Sequence, residues 1–373
     1  MPLIFGVSGL RGVVDKGLTP EIAQDYALLF AQFMKVKRIV IGRDTRGSGP
    51  VLKKAVIRGL KTAGCEIIDL GIVPTPTVLF MVRKIRAQAG LVITASHNPE
   101  KWNGLKFIDN KGNFLDEKQF NQFSKFIQKN IGIRHYKSIP GVVQKYSGVG
   151  FHIEGIVSNL GSVRKGIKVG IDAVGGAGAQ ALPNLLRTMG CQVYRLNCRY
   201  SRQFPRGPEP IPRNIKDLCQ LVKLKKLDIG FAVDPDCDRL AVVDEDGHPI
   251  GEELSLVLAT DYILSRRKGV VVTNLSTTAR MEYITKKYGC PLYRTKVGEA
   301  NVVAKMRRVN AIIGGEGNGG VIYPKINFTR DALTGAAIIL KLISERDKKI
   351  STIVAEYPRY YMIKKKVKLD RQG

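Results

Sequence analysis

Three stretches of the chain repeat one pattern, and this repeat narrows the possible folds more than any other feature. Residues 39–71 read IVIGRDTRGSGPVLKKAVIRGLKTAGCEIIDLG, residues 167–196 read IKVGIDAVGGAGAQALPNLLRTMGCQVYRL, and residues 270–295 read VVVTNLSTTARMEYITKKYGCPLYRT. Each runs from an apolar, β-branched segment through a small or polar turn into a helical stretch, then through Gly-Cys into a second strand. Gly64-Cys65, Gly190-Cys191 and Gly289-Cys290 mark the same point in each copy. Glycine there suits the left-handed residue that ends a helix. Strand, helix and parallel strand make a βαβ unit. The three cysteines read as small buried hydrophobes rather than reactive thiols.

A second half follows each copy, at residues 89–115, 227–250 and 310–324. Each has an apolar strand, a polar loop and a returning strand. Asp109-Asn110-Lys111-Gly112 and Asp244-Glu245-Asp246-Gly247 are matching turns between alternating runs. The expected fold class is therefore α/β: three related α/β domains with mixed, mainly parallel sheets flanked by helices. Expected boundaries are 1–150, 151–250 and 251–362. The length of 373 residues fits this, since one domain usually takes roughly 100–200 residues. A hydrophobic content of 44% supplies cores and excludes a mainly disordered chain.

Loops after the C-terminal ends of strands are where α/β sheets place ligands, and three such loops differ sharply in chemistry. Thr94-Ala95-Ser96-His97-Asn98-Pro99 sets a hydroxyl beside an imidazole and an amide. Two readings stand on chemistry alone: a serine that carries a phosphoryl group or acts as nucleophile, and an ordinary Asx/Ser turn. No G-x-S-x-G elbow accompanies it. Asp234-Pro235-Asp236-Cys237-Asp238-Arg239 places three carboxylates at alternate positions after the apolar strand Ile229–Val233. Close carboxylates repel unless a cation binds them, and oxygen ligands suit Mg²⁺. An EF-hand fails because its sixth position needs Gly and here is Arg239. A solvated acidic loop is the weaker alternative in so basic a chain. The third loop, Gly314-Gly315-Glu316-Gly317-Asn318-Gly319-Gly320, lets backbone approach a ligand closely and offers a carboxylate and an amide for sugar hydroxyls. Its alternative is a flexible turn.

Other classes fall away. Gly176-Ala177-Gly178-Ala179-Gln180-Ala181 fits G-x-G-x-x-A, but the next strand has no acid to hold a ribose. No P-loop occurs. Six cysteines form no C-x-x-C pair, so neither a disulfide scaffold nor structural zinc is expected. No apolar run approaches the ~18 residues of a membrane span, and the first residues lack the pattern of a secretory signal. No membrane partner and a cytoplasmic location are expected. Lys and Arg number 60 against 32 Asp and Glu, a net charge of +28. The excess is spread, and no nucleic-acid motif accompanies it, so no nucleic-acid partner is expected.

The three loops together resemble the α-D-phosphohexomutase family, which includes phosphomannomutase/phosphoglucomutase and phosphoglucosamine mutase. The matching pieces are FGVSGLRG at 5–12, GRDTRGSG at 42–49, TASHNP at 94–99, NGLKF at 103–107, DPDCDR at 234–239, TKVGE at 295–299 and GGEGNGG at 314–320. They follow the family's order across nearly the whole chain. The resemblance implies that Ser96 carries the phosphoryl group. It implies that one Mg²⁺ is held by Asp234, Asp236 and Asp238, with Ser96 as a further ligand. Arg11, His97, Lys106 and Arg239 match the catalytic surroundings, with Lys106 a candidate for proton transfer or charge stabilisation. Glu316, Asn318 and Gly298 match the substrate-binding positions.

The implied reaction interconverts hexose 6-phosphate and hexose 1-phosphate through a phosphoserine, with hexose 1,6-bisphosphate as intermediate and activator. The family's sugar loop often reads G-E-x-S-G-H. Here Asn318 stands for the serine and Gly320 for the histidine, so no role of that histidine carries over. The loop is more similar to phosphoglucosamine-mutase-type members than to the phosphomannomutase/phosphoglucomutase type. Residues 363–373 are similar to the hinge entering a fourth domain that this chain is expected to lack, with impaired mutase activity as the consequence. A non-catalytic phosphosugar-binding protein is the alternative from another class. A monomer or homodimer is expected.

Overall fold

The computed structural model describes residues 3–132 and 141–360. Residues 363–373, the expected hinge, lie outside them. The first sheet contains β1 (Ile4–Gly6), β2 (Gly9–Val13), β3 (Arg38–Arg43), β4 (Glu66–Ile72), β5 (Ala89–Ile93), β6 (Trp102–Ile108) and β7 (Val143–Lys145). Their spatial order is β1-β2-β6-β5-β3-β4-β7. The second sheet contains β8 (Lys168–Asp172), β9 (Gln192–Leu196), β10 (Ile229–Val233) and β11 (Leu240–Val243), ordered β11-β10-β8-β9. The third contains β12 (Val271–Asn274), β13 (Leu292–Thr295), β14 (Ile313–Glu316) and β15 (Gly320–Ile322), ordered β13-β12-β14-β15.

The repeat is realised strand for strand. A central strand (β3, β8 or β12) pairs in parallel with the strand after its crossover helix (β4, β9 or β13). On its other side it pairs in parallel with β5, β10 or β14. That strand turns back antiparallel into β6, β11 or β15. Gly64, Gly190 and Gly289 all have positive φ just beyond helices Gly49–Thr62, Gly178–Thr188 and Arg280–Lys287. Burial pushes the Cys65 thiol up to about 11 and the Cys191 thiol up to about 12, so both are neutral packing groups. The two hairpins match in detail. Asp109 Oδ1 accepts from the backbone N–H of Lys111 and Asn113, and Asp244 Oδ1 accepts from those of Asp246 and His248.

The first sheet is apolar on both faces because its strands alternate. Ile39, Ile41 and Leu91 enter one core, and Val40 and Val92 enter another. The second and third sheets differ from three separate units. One continuous apolar cluster joins them, running from Ile171 and Leu240 through Leu256 to Ala336. Helix Glu253–Arg266 is buried continuously from Leu254 to Leu264, and helix Ala332–Arg346 from Ala332 to Leu340. Helices buried around most of their circumference are core elements, and these two pack against strands of both sheets. The expected boundary at 150 falls just inside helix Val149–Leu160. The C-terminal ends of β5, β10 and β14 lead into the serine, acidic and glycine-rich loops.

Candidate active site

The serine loop is held by a buried guanidinium. Arg46 donates from Nη2 to the carbonyls of Ser96 (2.6 Å) and Asn98 (2.7 Å), and from Nη1 to those of Pro99 (2.7 Å) and Trp102 (3.0 Å). Its Nε donates to Asp44 Oδ2 at 2.9 Å, and Thr94 Oγ1 donates to the same oxygen at 2.6 Å. The backbone N–H of Ser96 in turn donates to Thr94 Oγ1. This frame holds Ser96 at φ +51°, a left-handed conformation that costs a non-glycine residue energy. The Ser96 hydroxyl then donates to Asp234 Oδ2 at 3.1 Å and lies 3.3 Å from His97 Nδ1.

The acidic loop turns sharply at Cys237 (φ +59°). Oxygens of Asp234, Asp236 and Asp238 lie within 4.8 Å of one another, and all three residues are buried. Asp234 Oδ1 accepts the backbone N–H of Asp238 and Arg239. Asp236 Oδ2 accepts from Thr75 Oγ1 and Lys106 Nζ, both at 2.7 Å. Asp238 Oδ2 accepts from Lys106 Nζ at 3.3 Å and Arg330 Nη2 at 2.8 Å. Asp236 Oδ1 and Asp238 Oδ1 are buried and find no partner among the described residues. Burial, with the charges of Asp238 and Asp236, pushes Asp234 well above the usual carboxylate range. Burial also acts on Asp236, but the charge and hydrogen bond of Lys106 outweigh it and hold that carboxyl low. Oxygen-only donors with two orphaned carboxylate atoms fit a hard divalent cation such as Mg²⁺.

In the glycine-rich loop, Glu316 is buried and fully engaged. Oε1 accepts from Asn274 Nδ2 (2.9 Å) and the Gly298 backbone N–H (3.1 Å), and Oε2 from Arg330 Nη1 (3.1 Å). Asn318 Oδ1 is buried without a partner among the described residues. A cleft of about 450 Å³ between the first and third sheets brings together Arg11, Ser96, His97, Lys106, Arg239, Gly298, Glu316 and Asn318, every expected site residue outside the acidic triad. Burial and the nearby Arg239 charge lower His97 to about 4, so its imidazole is neutral at pH 7. Burial alone would lower Lys106, but Asp236 and Asp238 keep it charged.

Several residues of this site escaped sequence reasoning. Asp44 and Arg46 lie inside the matched segment at 42–49, yet only the fold shows that they grip the serine loop. Thr75 opens helix Thr75–Lys84 and reaches the acidic loop from the first sheet. Glu209 accepts from Arg239 Nη1 at 2.8 Å, while Arg239 Nη2 lies 3.4 Å from His97 Nε2. Arg330 joins two loops from a third position in sequence. The glycines at 176 and 178 serve packing: a Cβ on Gly176 would lie 2.6 Å from the Pro235 carbonyl oxygen, and one on Gly178 would lie 2.8 Å from Cys237 Sγ. They admit the acidic loop.

The chain matches family models along almost its full described length. Residues 2–132 match phosphoglucomutase/phosphomannomutase α/β/α domain I, residues 151–247 domain II, and residues 251–361 domain III. A Thermococcus kodakarensis protein named phosphoglucomutase/phosphomannomutase is 36% identical over 386 residues, covering 100% of this chain and 84% of that protein. A Methanopyrus kandleri protein named "Probable phosphoglucosamine mutase" is 34% identical, covering 97% of this chain and 81% of its own length. The X-ray structure of a phosphoglucomutase/phosphomannomutase family protein from Burkholderia thailandensis superposes with a TM-score of 0.85 at 27% identity, over 95% of this chain and 81% of that one.

Proposed function

The chain belongs to the phosphoglucomutase/phosphomannomutase family, and on that premise we propose that it is a Mg²⁺-dependent phosphohexomutase that works through phosphoserine 96. The reading rests above all on one observation: the Ser96 hydroxyl donates to Asp234 in a buried acidic triad with two unpartnered carboxylate oxygens. The substrate is a hexose phosphate, interconverted between its 6- and 1-phosphates, and the intermediate is the hexose 1,6-bisphosphate. We read the domains as 1–150, 151–250 and 251–362.

Asp234, Asp236 and Asp238 would hold the ion, with Ser96 beside them. When bound, Mg²⁺ supplies charge neutralisation at the phosphoryl oxygens. The chain's own residues do the positioning. Arg46 and Asp44 fix the serine loop, so Ser96 Oγ keeps one orientation. Lys106 is charged and buried, which suits charge stabilisation rather than proton abstraction. Arg11 and Arg239 line the cleft and suit the developing charge of a transferring phosphoryl group. His97 is neutral, and its Nδ1 lies 3.3 Å from Ser96 Oγ, where it suits orienting that oxygen. In the forward step the Ser96 Oγ–P bond breaks, a bond from the free sugar hydroxyl oxygen to phosphorus forms, and the proton that hydroxyl loses restores the Ser96 hydroxyl. The bisphosphorylated sugar then reverses in the cleft and returns its other phosphoryl group to Ser96.

Asn318 and Gly320, with the naming of the Methanopyrus kandleri relative, favour the phosphoglucosamine mutase type. All six cysteines are unpaired, as a reducing cytoplasm would keep them. No helix among the described residues is long and apolar enough to cross a membrane. The test is a coupled assay with glucosamine 6-phosphate, glucose 1-phosphate and mannose 1-phosphate. The reading expects Mg²⁺-dependent turnover, fastest with glucosamine 6-phosphate. Binding of all three without turnover in Mg²⁺ would favour a phosphosugar-binding protein instead.

A further inference from the structure

The glycine-rich loop carries more glycine than its backbone requires. At Gly315 and Gly319 φ is positive, and a Cβ would lie 2.0 and 2.4 Å from backbone oxygens of Gly320 and Leu240. A Cβ on Gly314 would lie 2.5 Å from the Val272 carbonyl oxygen. Gly320 differs. It opens β15 in ordinary extended backbone, and the atoms nearest an added Cβ are Arg330 Cδ at 2.2 Å and Arg330 Cγ at 2.7 Å, then Asn318 Oδ1 at 3.1 Å. The missing side chain is the space through which Arg330 crosses the strand.

What Arg330 reaches by that route is specific. Nη2 donates to Asp238 in the acidic loop, Nη1 to Glu316 in the glycine-rich loop, and Nε to Glu299 Oε2 at 3.1 Å. The Arg330 backbone N–H also donates to Glu299 Oε1 at 2.9 Å. Glu299 opens helix Glu299–Arg308 directly after Gly298, whose N–H is held by Glu316. One planar guanidinium therefore fastens the acidic loop, the 295–299 loop and the glycine-rich loop together. Lysine, with a single point charge, cannot reproduce a three-way fork. Burial alone would make this cation costly, but the three carboxylates outweigh it.

We propose that Arg330 is a positioning residue that locks the metal-ligating loop to the two sugar-facing loops, and that residue 320 is glycine to let it through. This deepens the phosphohexomutase reading, since the loops it joins are those that would hold the ion and the sugar. The experiment uses Gly320→Ala, Arg330→Ala and the double variant. Gly320→Ala keeps every charge and acts first on Arg330, whose stem the new Cβ would overlap, with Asn318 Oδ1 the next atom at 3.1 Å.

Amide hydrogen exchange at Gly298 and residues 315–320 is read first, because it needs no turnover. Exchange in Gly320→Ala is expected to rise roughly ten-fold, the effect of losing one buried hydrogen bond of about 1.4 kcal/mol. In the Arg330→Ala background the same change is expected to add less than about two-fold, because contacting residues couple. Steady-state kinetics should show the KM for hexose phosphate rising in both single variants by more than kcat falls. Unchanged exchange in Gly320→Ala, or equal effects in both backgrounds, overturns the proposal. If the unaltered protein shows no turnover while the exchange coupling holds, the functional reading fails and the lock stands.

Discussion

Replacing Arg46 by methionine tests whether the serine loop is built as the geometry indicates. The change removes the guanidinium and keeps much of the apolar stem. It strands the buried Asp44 carboxylate and removes the guanidinium donor from the carbonyls of Ser96, Asn98, Pro99 and Trp102, of which Pro99 keeps the Trp102 N–H. Both members of the Arg46–Asp44 pair have fully buried side chains. Charge-assisted bonds are worth about 1.5–3 kcal/mol each, but a shared donor's bonds do not add. Breaking one buried ion pair by removing a partner costs about 3–5 kcal/mol, which sets the scale here.

At roughly 2–4 °C per kcal/mol for a unit of this size, the first melting transition should fall by about 6–20 °C. Scanning calorimetry reads this directly. Arg46→Lys should fall between, since one ammonium cannot serve four carbonyls and a carboxylate. Adding Asp44→Asn to Arg46→Met should restore part of the loss by removing the stranded charge. A melting point for Arg46→Met within about 2 °C of the unaltered protein, less than 1 kcal/mol on the same scale, refutes the clamp.

Further outcomes follow from the same geometry. Asp236→Asn should abolish Mg²⁺ binding in calorimetry, because it removes one of three ligands and the charge opposing Lys106; an unchanged affinity would place the ion elsewhere. Gly176→Ala should weaken Mg²⁺ binding without touching any ligand, because the new Cβ would collide with the Pro235 carbonyl and displace the acidic loop; calorimetry on the folded variant checks it. Asp261 is held below the usual carboxylate range: burial opposes this, but hydrogen bonds from Tyr288 and Tyr357 and the charge of Arg346 outweigh it. Its stabilisation is therefore present at pH 7 and is lost as pH falls below about 4, its ordinary value, through its lower folded value. The melting-point gap between the unaltered protein and Asp261→Asn should narrow over that range, and a constant gap would deny the linkage.

The repeat was legible because its signals are local. The glycine that ends a helix and the run of β-branched residues act within a few positions in all three copies, and the Asp-x-x-Gly turn does so in the first two. The acidic triad was legible for the same reason, since its three carboxylates sit within five residues. Arg46, Thr75, Glu209 and Arg330 were not, because each acts across sequence distances that only the packed sheets close. The same holds for the shared core of the second and third sheets. Helices Glu253–Arg266 and Ala332–Arg346 contact both sheets, and no local signal says which two sheets they fill between. Gly176 and Gly178 suggested a cofactor turn through a pattern, whereas the fold uses the same smallness to admit the acidic loop.

Phosphoryl transfer to Ser96 is the central claim, and one measurement addresses it most directly. The protein is incubated with glucose 1,6-bisphosphate and Mg²⁺, and intact mass and peptide mapping are read before and after. One added phosphoryl group, located on Ser96 and absent from Ser96→Ala, is the expected result. No added mass, or a phosphoryl group carried equally by Ser96→Ala, would contradict the account.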